Sequence, residues 1–326
     1  MPAASLTSIR LRPSALISAC LIAIGPALAA PPLRAAEAAR APAMAEAEAE
    51  AVAWQVALDR RLFSPGVIDG RWGPKTARAL REFQAASGLP ATGLPDEASR
   101  GALEVDPTGA ITTYTITSAD AAEVGPWPKT WVEKSRAPRL GYKSLAALAA
   151  ERGHCSVALL GRLNPGKRLT ALSAGDVLRI PNVSPAVPGR AARLEVDLAS
   201  KTIRPFDAKG QVLGLLHCSI ARKREKRPSG QCRVKVVSPD PVYVFDPKMW
   251  PEVRGVKRKL VIPPGPRNPV GRFWIGLSLP GYGIHGTPEP ELIGKTGSHG
   301  CFRLANWDAV RLGAMVRPGV PVEFVQ

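Results

Sequence analysis

Proline and glycine punctuate this chain so densely, 33 and 30 among 326 residues, that few stretches leave room for a long regular element. Proline removes a backbone donor and fixes φ, while glycine opens left-handed turns, so both end helices and strands. With 45% apolar residues still to bury, the pattern predicts several short domains joined by turns.

Residues 1–30 read as a secretory signal. Arg10 and Arg12 precede an apolar run from Ala15 to Ile24, and Ala27-Leu28-Ala29 fits a small-residue cleavage site. The mature protein is therefore expected in the periplasm or cell wall, cleaved near Ala29 or Ala30 rather than lipidated at Cys20. No later stretch is long and apolar enough to span a membrane. Residues 31–51, almost all Ala, Glu, Pro and Arg, have little to bury and are expected to be a linker, with order beginning at Val52.

Over 52–105, Val52, Val56 and Leu58 mark one helix, Pro74 opens a second carrying Ala77, Leu80 and Phe83, and Pro95 opens a third reaching Leu103. The expectation is a small three-helix bundle. Asp69-Gly70-Arg71-Trp72-Gly73-Pro74-Lys75-Thr76, with Phe83-Gln84 and Gly88-Leu89 after it, resembles the peptidoglycan-binding domain that accompanies wall enzymes; Trp72 and Phe83 themselves read mostly as core. Over 106–185 a strand at 114–117, helices capped by Ser144 and Ser156, and a closing strand at 177–181 follow one another. This order resembles a LysM carbohydrate-binding module, an α+β unit, but residues 118–139 are inserted before its first helix and the usual Gly-Asp-Thr is absent. Trp127, Trp131 and Tyr142 are candidates either to stack on sugar rings or to serve as packing lids.

After a Pro-rich connector at 184–190, Leu194, Val196 and Leu198 alternate with Glu195 and Asp197. Further strands are expected near 211–220, 231–237, 242–245 and 271–278, with one helix at 307–315 capped by Asn306. Residues 190–326 thus form a mostly β domain, and the chemistry is concentrated there between Gly281 and Leu304. That stretch holds His285, His299 and Cys301. A cysteine becomes a nucleophile when a base takes its proton and fixed dipoles stabilise the charge that develops. Histidine supplies the base, and amides opened by Gly286 and Gly300, with that of Cys301, are candidate oxyanion donors. No Cys-x-x-Cys or His-x-x-x-His spacing supports a metal site, so no metal is expected.

His285-Gly286-Thr287 followed by Ser298-His299-Gly300-Cys301-Phe302-Arg303-Leu304 resembles the active-site motif of the L,D-transpeptidase (YkuD-type) family, and the likeness extends over roughly 190–326. The resemblance implies Cys301 as nucleophile, His285 as general base oriented by Gly286 or Thr287, and His299 as a further site histidine. Arg303, Ser298 and Tyr282 are then implied to contact substrate. It also implies a donor stem tetrapeptide that loses D-alanine to form a thioester, and an acceptor amine that takes the acyl group. The thiol chemistry so implied needs no cofactor. An L,D-carboxypeptidase with water as acceptor, and a non-catalytic wall-binding protein, are the alternatives. Residues 52–183 are expected to provide attachment and little chemistry.

Lys and Arg exceed Asp and Glu by seventeen. An exported chain without a nucleic-acid motif is not expected to bind nucleic acid, whereas peptidoglycan, with its carboxylate-bearing stem peptides and glycan strands, is a partner a basic surface would concentrate. Beyond Cys301 the mature chain keeps Cys155, Cys218 and Cys232, whose pairing spacing alone does not decide.

Overall fold

The computed structural model describes residues 45–126, 128–183, 187, 189–250 and 253–326. The expected signal segment, most of the Ala/Glu-rich stretch, Trp127 and part of the 184–190 connector lie outside the described residues. Among those described, no helix is long and apolar enough to cross a membrane.

Helix α1 (Glu46–Arg60) corrects the expected start of order at Val52. The Ala-Glu repeat is helical from Glu46 because two of its acids have partners and the helix continues into a buried stretch beginning at Ala51. Glu48 pairs with Arg162 at 2.5 Å, Glu50 accepts from Trp54 Nε1 at 2.7 Å and from Arg100, and Ala51 is buried. Helix α2 (Pro74–Ala86) starts on its proline, while α3 (Glu97–Leu103) starts after Pro95, where Asp96 accepts from the Ser99 N–H at 2.7 Å.

There follow β1 (Ile111–Thr115), α4 (Ser118–Ala122), α5 (Trp131–Arg136), α6 (Leu145–Arg152), α7 (Val157–Leu163) and β2 (Val177–Pro181). β1 lies antiparallel to β2, with Ile111 opposite Pro181. Ser144 and Ser156 cap α6 and α7 as expected. This βααβ unit has no core of its own: Leu58, Leu80 and Phe83 of the helical bundle join Ala149, Leu159, Leu160 and Leu178 in one cluster. The small residues on α6 leave room for that shared packing.

The C-terminal part runs β3 (Arg193–Asp197), β4 (Thr202–Phe206), β5 (Leu216–His217), β6 (Gly230–Pro239), β7 (Tyr243–Phe245), β8 (Leu260–Ile262), β9 (Phe273–Leu277), β10 (Gly283–His285), β11 (Phe302–Arg303), α8 (Asn306–Met315) and β12 (Pro321–Val325). Eight strands form one sheet in the order β11-β10-β9-β6-β12-β3-β4-β5, parallel at β10/β11 and β12/β3 and antiparallel elsewhere. Leu194 and Val196 are fully buried on one face while Glu195 between them is half-buried, the alternation a covered sheet demands. Helix α8 buries Ala309, Leu312 and Met315 with Ile275 of β9. Asn306 does not cap it. As the first helical residue it spends its amide elsewhere, accepting from the Arg272 N–H and donating to Pro266 O and Glu151 Oε2.

The segment 118–139, an apparent insertion in the βααβ unit, has a place in the catalytic half. Helix α5 is too short to bury itself, and it packs on the β7–β8 ribbon, where Trp131 stacks on Phe245 at 4.1 Å. Leu140 donates to Pro264 O at 2.9 Å, and the Leu140 carbonyl fills the position a side chain at Gly265 would need. Deeper, Asp59 of α1 pairs with Arg311 of α8 at 3.0 Å and with His154 Nδ1 at 3.0 Å, all three buried. Burial alone would raise the Asp59 carboxyl, but Arg311 and His154 outweigh it and hold it at about 2.

Candidate active site

Strands β10 and β11 run parallel, Ile284 opposite Phe302 and His285 opposite Arg303, and the Leu304 N–H reaches His285 O at 2.8 Å. This register sets the turn 298–301 against the end of the histidine strand. A cavity of about 430 Å³ is lined there by His285, Ser298, His299, Gly300, Cys301 and Arg303. Six of the residues singled out in the sequence thus share one site.

His285 is 6% exposed, with its Nδ1 2.7 Å from Gly286 O. A carbonyl only accepts, so Nδ1 carries the proton and Nε2 keeps the lone pair. Of the two orienting groups expected, Gly286 and Thr287, the Gly286 carbonyl does this. Trp274 stacks on the imidazole at 5.7 Å, and its indole fills the space a side chain at Gly283 would need. Burial pushes the imidazole down to about 4, with the Arg303 charge adding to it against the Gly286 hydrogen bond.

Cys301 is half-buried, its Sγ 3.6 Å from Gly281 O. Burial raises the thiol above its ordinary value, opposed by a backbone hydrogen bond from Gly283 and by the Arg303 charge. At neutral pH the resting pair is therefore a neutral thiol and a neutral imidazole. The proton then moves during attack, not before it.

The expected oxyanion donors need correction. The Gly286 N–H is spent on Phe273 O at 3.2 Å, an extension of the sheet, and the Gly300 N–H on Ser298 Oγ at 3.1 Å. Among the described residues, the Cys301 N–H has no acceptor. Ser298 is a brace for the turn: buried, it donates to Cys301 O at 2.5 Å while accepting from Gly300. Its hydroxyl is not left free for substrate. Tyr282 lies outside the cavity lining, its ring packed beside Gly300 and its hydroxyl donating to Lys226 O at 2.9 Å. His299 is exposed, with its ring 4.4 Å from that of Trp250. Arg303 is half-buried, with Nη2 3.3 Å from Gly297 O.

Sequence reasoning placed Trp131 in the βααβ unit rather than here, and missed other parts of the cavity's roof: Lys134 of α5, Tyr243 of β7, Trp250 and Arg267. Their shared signal is aromatic and basic character, spread over more than a hundred residues of chain without fixed spacing. Trp131 stacks on Phe245 and lines the catalytic cavity, while Tyr142 is buried with its hydroxyl on Glu151 Oε1 at 2.7 Å and presents no free face to a sugar. Helix α5, within the residues 52–183 expected to provide attachment, thus also lines this cavity.

The four described cysteines are free thiols, so Cys218 and Cys232 do not close the loop between them. Cys155, Cys218 and Cys232 are buried, and burial pushes the Cys155 thiol up to about 12 and that of Cys232 to about 11. Among the described residues no three His, Cys, Asp or Glu are placed to hold a metal ion.

Residues 191–324 match the family described as "L,D-transpeptidase catalytic domain", and residues 48–103 match "Putative peptidoglycan binding domain". "Putative L,D-transpeptidase YkuD" of Bacillus licheniformis is 29% identical over 184 residues, 56% of this chain and 93% of that protein. "Putative L,D-transpeptidase YqjB" of Bacillus subtilis is 30% identical over 117 residues, 34% of this chain and 59% of that one. Among solved structures, L,D-transpeptidase 3 from Mycobacterium tuberculosis aligns with a TM-score of 0.34 at 16% identity, covering 48% of this chain and 76% of that chain. The Enterococcus faecium L,D-transpeptidase aligns with a TM-score of 0.31 at 20% identity over 42% of this chain, which spans half of that one.

Proposed function

With an L,D-transpeptidase catalytic domain at residues 191–324 and a peptidoglycan-binding-type domain at 48–103 as the premise, we propose that this chain is an exported, cysteine-dependent transpeptidase of peptidoglycan. In it, Cys301 attacks the carbonyl that joins an L-configured diamino-acid centre to a terminal D-alanine in a donor tetrapeptide. The thiol proton passes to His285 Nε2, and the Cys301 N–H faces the oxyanion. Collapse breaks the C–N bond, D-alanine leaves with the proton from His285, and a thioester remains. An acceptor amine then attacks the thioester, gives its proton to His285 and releases the thiol. Arg303, Arg267 and Lys134 give the cavity a positive lining suited to stem-peptide carboxylates.

One observation carries this reading: a neutral imidazole, its Nδ1 tied to a backbone carbonyl, shares a cavity with a half-buried thiol whose own N–H is unspent. The bundle attaches the enzyme to the wall, export follows from the signal at 1–30, and the LysM-like order of the βααβ unit serves architecture more than sugar binding. Incubation with purified tetrapeptide muropeptides and mass analysis tests it. Cross-linked dimers support transpeptidation, hydrolysed tripeptides mean that water is the acceptor, and unchanged substrate from a folded protein leaves only the wall-binding reading. A carbapenem-type β-lactam should add once, at Cys301 and not at Cys155, Cys218 or Cys232.

A further inference from the structure

A second cleft, of about 480 Å³, lies where the helical bundle meets the catalytic domain, and nothing in the catalytic reading uses it. From the bundle, Arg71, Lys75 and Arg78 line it; from the catalytic domain, Lys201 and Lys295 do. Against these five cations stand the carboxylates of Asp69 and Glu291. Asp69 is already engaged, accepting from Gln55 Nε2 and the Arg71 N–H at 3.0 Å each. His217, also in the wall, adds no charge at neutral pH, because burial pushes it down to about 3.

The cations are crowded rather than paired. Lys75 is half-buried and its ammonium is depressed by burial and then by the nearby Lys295 charge. Two like charges held together in a partly desolvated cleft are stabilised by an anion placed between them. The cleft is also joined to the nucleophile's turn. Lys75 Nζ donates to Ile293 O at 2.8 Å, Lys201 Nζ to Gly294 O at 3.1 Å, and the Gly294 N–H to Ser219 Oγ at 2.9 Å. Ser219 in turn pairs through its backbone with Arg303. Glu289, at the start of this same loop, lines the catalytic cavity. A single loop, 289–297, therefore walls both spaces.

We propose that this cleft is a second binding site, for a carboxylate-bearing peptide, in which Arg71, Arg78 and Lys295 meet the ligand at the exposed rim and Lys75 and Lys201 face it from the wall. Neither the bundle nor the catalytic domain holds the site alone. Its occupant bears on the loop that leads to Ser298 and Cys301, so wall engagement and catalysis share a structural element. Identification of the natural ligand as a wall stem peptide rests on the reading proposed above; the cleft's preference for carboxylates does not.

The test uses the full mature chain with Cys301→Ala, to prevent turnover, and a soluble stem tetrapeptide with free carboxylates as probe. Titration calorimetry at low salt should give binding that weakens as salt rises. Coupling by a water-soluble carbodiimide, which joins carboxylates to amines, should place the probe on Lys75, Lys201 or Lys295 by peptide mapping. The double variant Arg78→Glu, Lys295→Glu changes only exposed rim residues and should lose at least tenfold in affinity while its circular dichroism is unchanged. The same probe with its carboxylates amidated should bind at least tenfold more weakly. Failure of the wild-type cleft to bind, equal affinity of the double variant or the amidated probe, or coupling only at Lys134 of the catalytic cavity, would each overturn the proposal. Binding at the cleft by a protein that forms no β-lactam adduct through an intact Cys301 would instead sink the catalytic reading and leave the cleft standing.

Discussion

Replacing His285 with Ala should change the pH dependence of acylation as well as its rate. In the native site the imidazole is held near 4 and the thiol above its usual value, so between about pH 5 and 8 the base is unprotonated and the thiol protonated. Acylation should then be flat across that range, falling about tenfold per unit only below pH 4, where the imidazolium can accept no proton. Without the base, reaction depends on the small thiolate fraction. An ordinary cysteine, with pKa about 8.5, is about 3% ionised at pH 7, and burial lowers that fraction here. The loss at pH 7 should fall in the general-base range of about 10²–10⁴-fold. The rate of the variant should climb about tenfold per unit from pH 6 to 8 as thiolate appears. Intact-mass time courses with a carbapenem at each pH measure this directly. A His285→Ala protein with a flat profile, or a His299→Ala protein showing the steep one, would refute the assignment, since His299 lies on Trp250 and should cost only a few-fold.

Ser298→Ala removes the brace between Cys301 O and the Gly300 N–H and should lower kcat about tenfold with little change in KM; an unchanged kcat in muropeptide turnover would deny the brace a role. Trp131→Ala should slow acylation at least tenfold, and the isolated 190–326 fragment should bind a hydrophobic dye at the uncovered Phe245, Leu260 and Ile262 surface; a fragment as active as the full chain would show that α5 is dispensable. Asp59→Asn removes one of the two carboxylates on Arg311, Asp308 keeping the other at 2.8 Å, at a cost of about 1.5–3 kcal/mol, read from urea unfolding at pH 7. The native Asp59 carboxyl, lowered from 3.8 to about 2, contributes about 2 kcal/mol that is fully present above pH 4 and disappears as pH falls through 2. The Asn variant should lack that acid-dependent component, and equal acid slopes in both proteins would contradict the buried pair.

Local chemistry explains what could be read without coordinates. Pro74 at a helix start, Ser144 and Ser156 as caps, and the Leu194-Val196 alternation each act within a few residues, so the sequence states them directly. The His285 and Cys301 pairing was legible from the likeness of His285-Gly286-Thr287 and Ser298-His299-Gly300-Cys301 to a known active-site motif, and the parallel β10/β11 register is what brings the two together. Other features depended on partners distant in the chain. The Ala-Glu repeat is helical from Glu46 because Arg100 and Arg162 wait for its carboxylates, and no local rule foretells that. Only the fold decides that the Gly286 and Gly300 amides are spent on Phe273 and Ser298, because a donor's availability is set by whichever acceptor the sheet or turn brings to it. Residues 118–139 show the limit most clearly. Read along the chain they interrupt a βααβ unit; in three dimensions Trp131 stacks on Phe245 and roofs the catalytic cavity. A six-residue helix cannot bury its own tryptophan, and which apolar surface covers it is fixed by packing, not by sequence order.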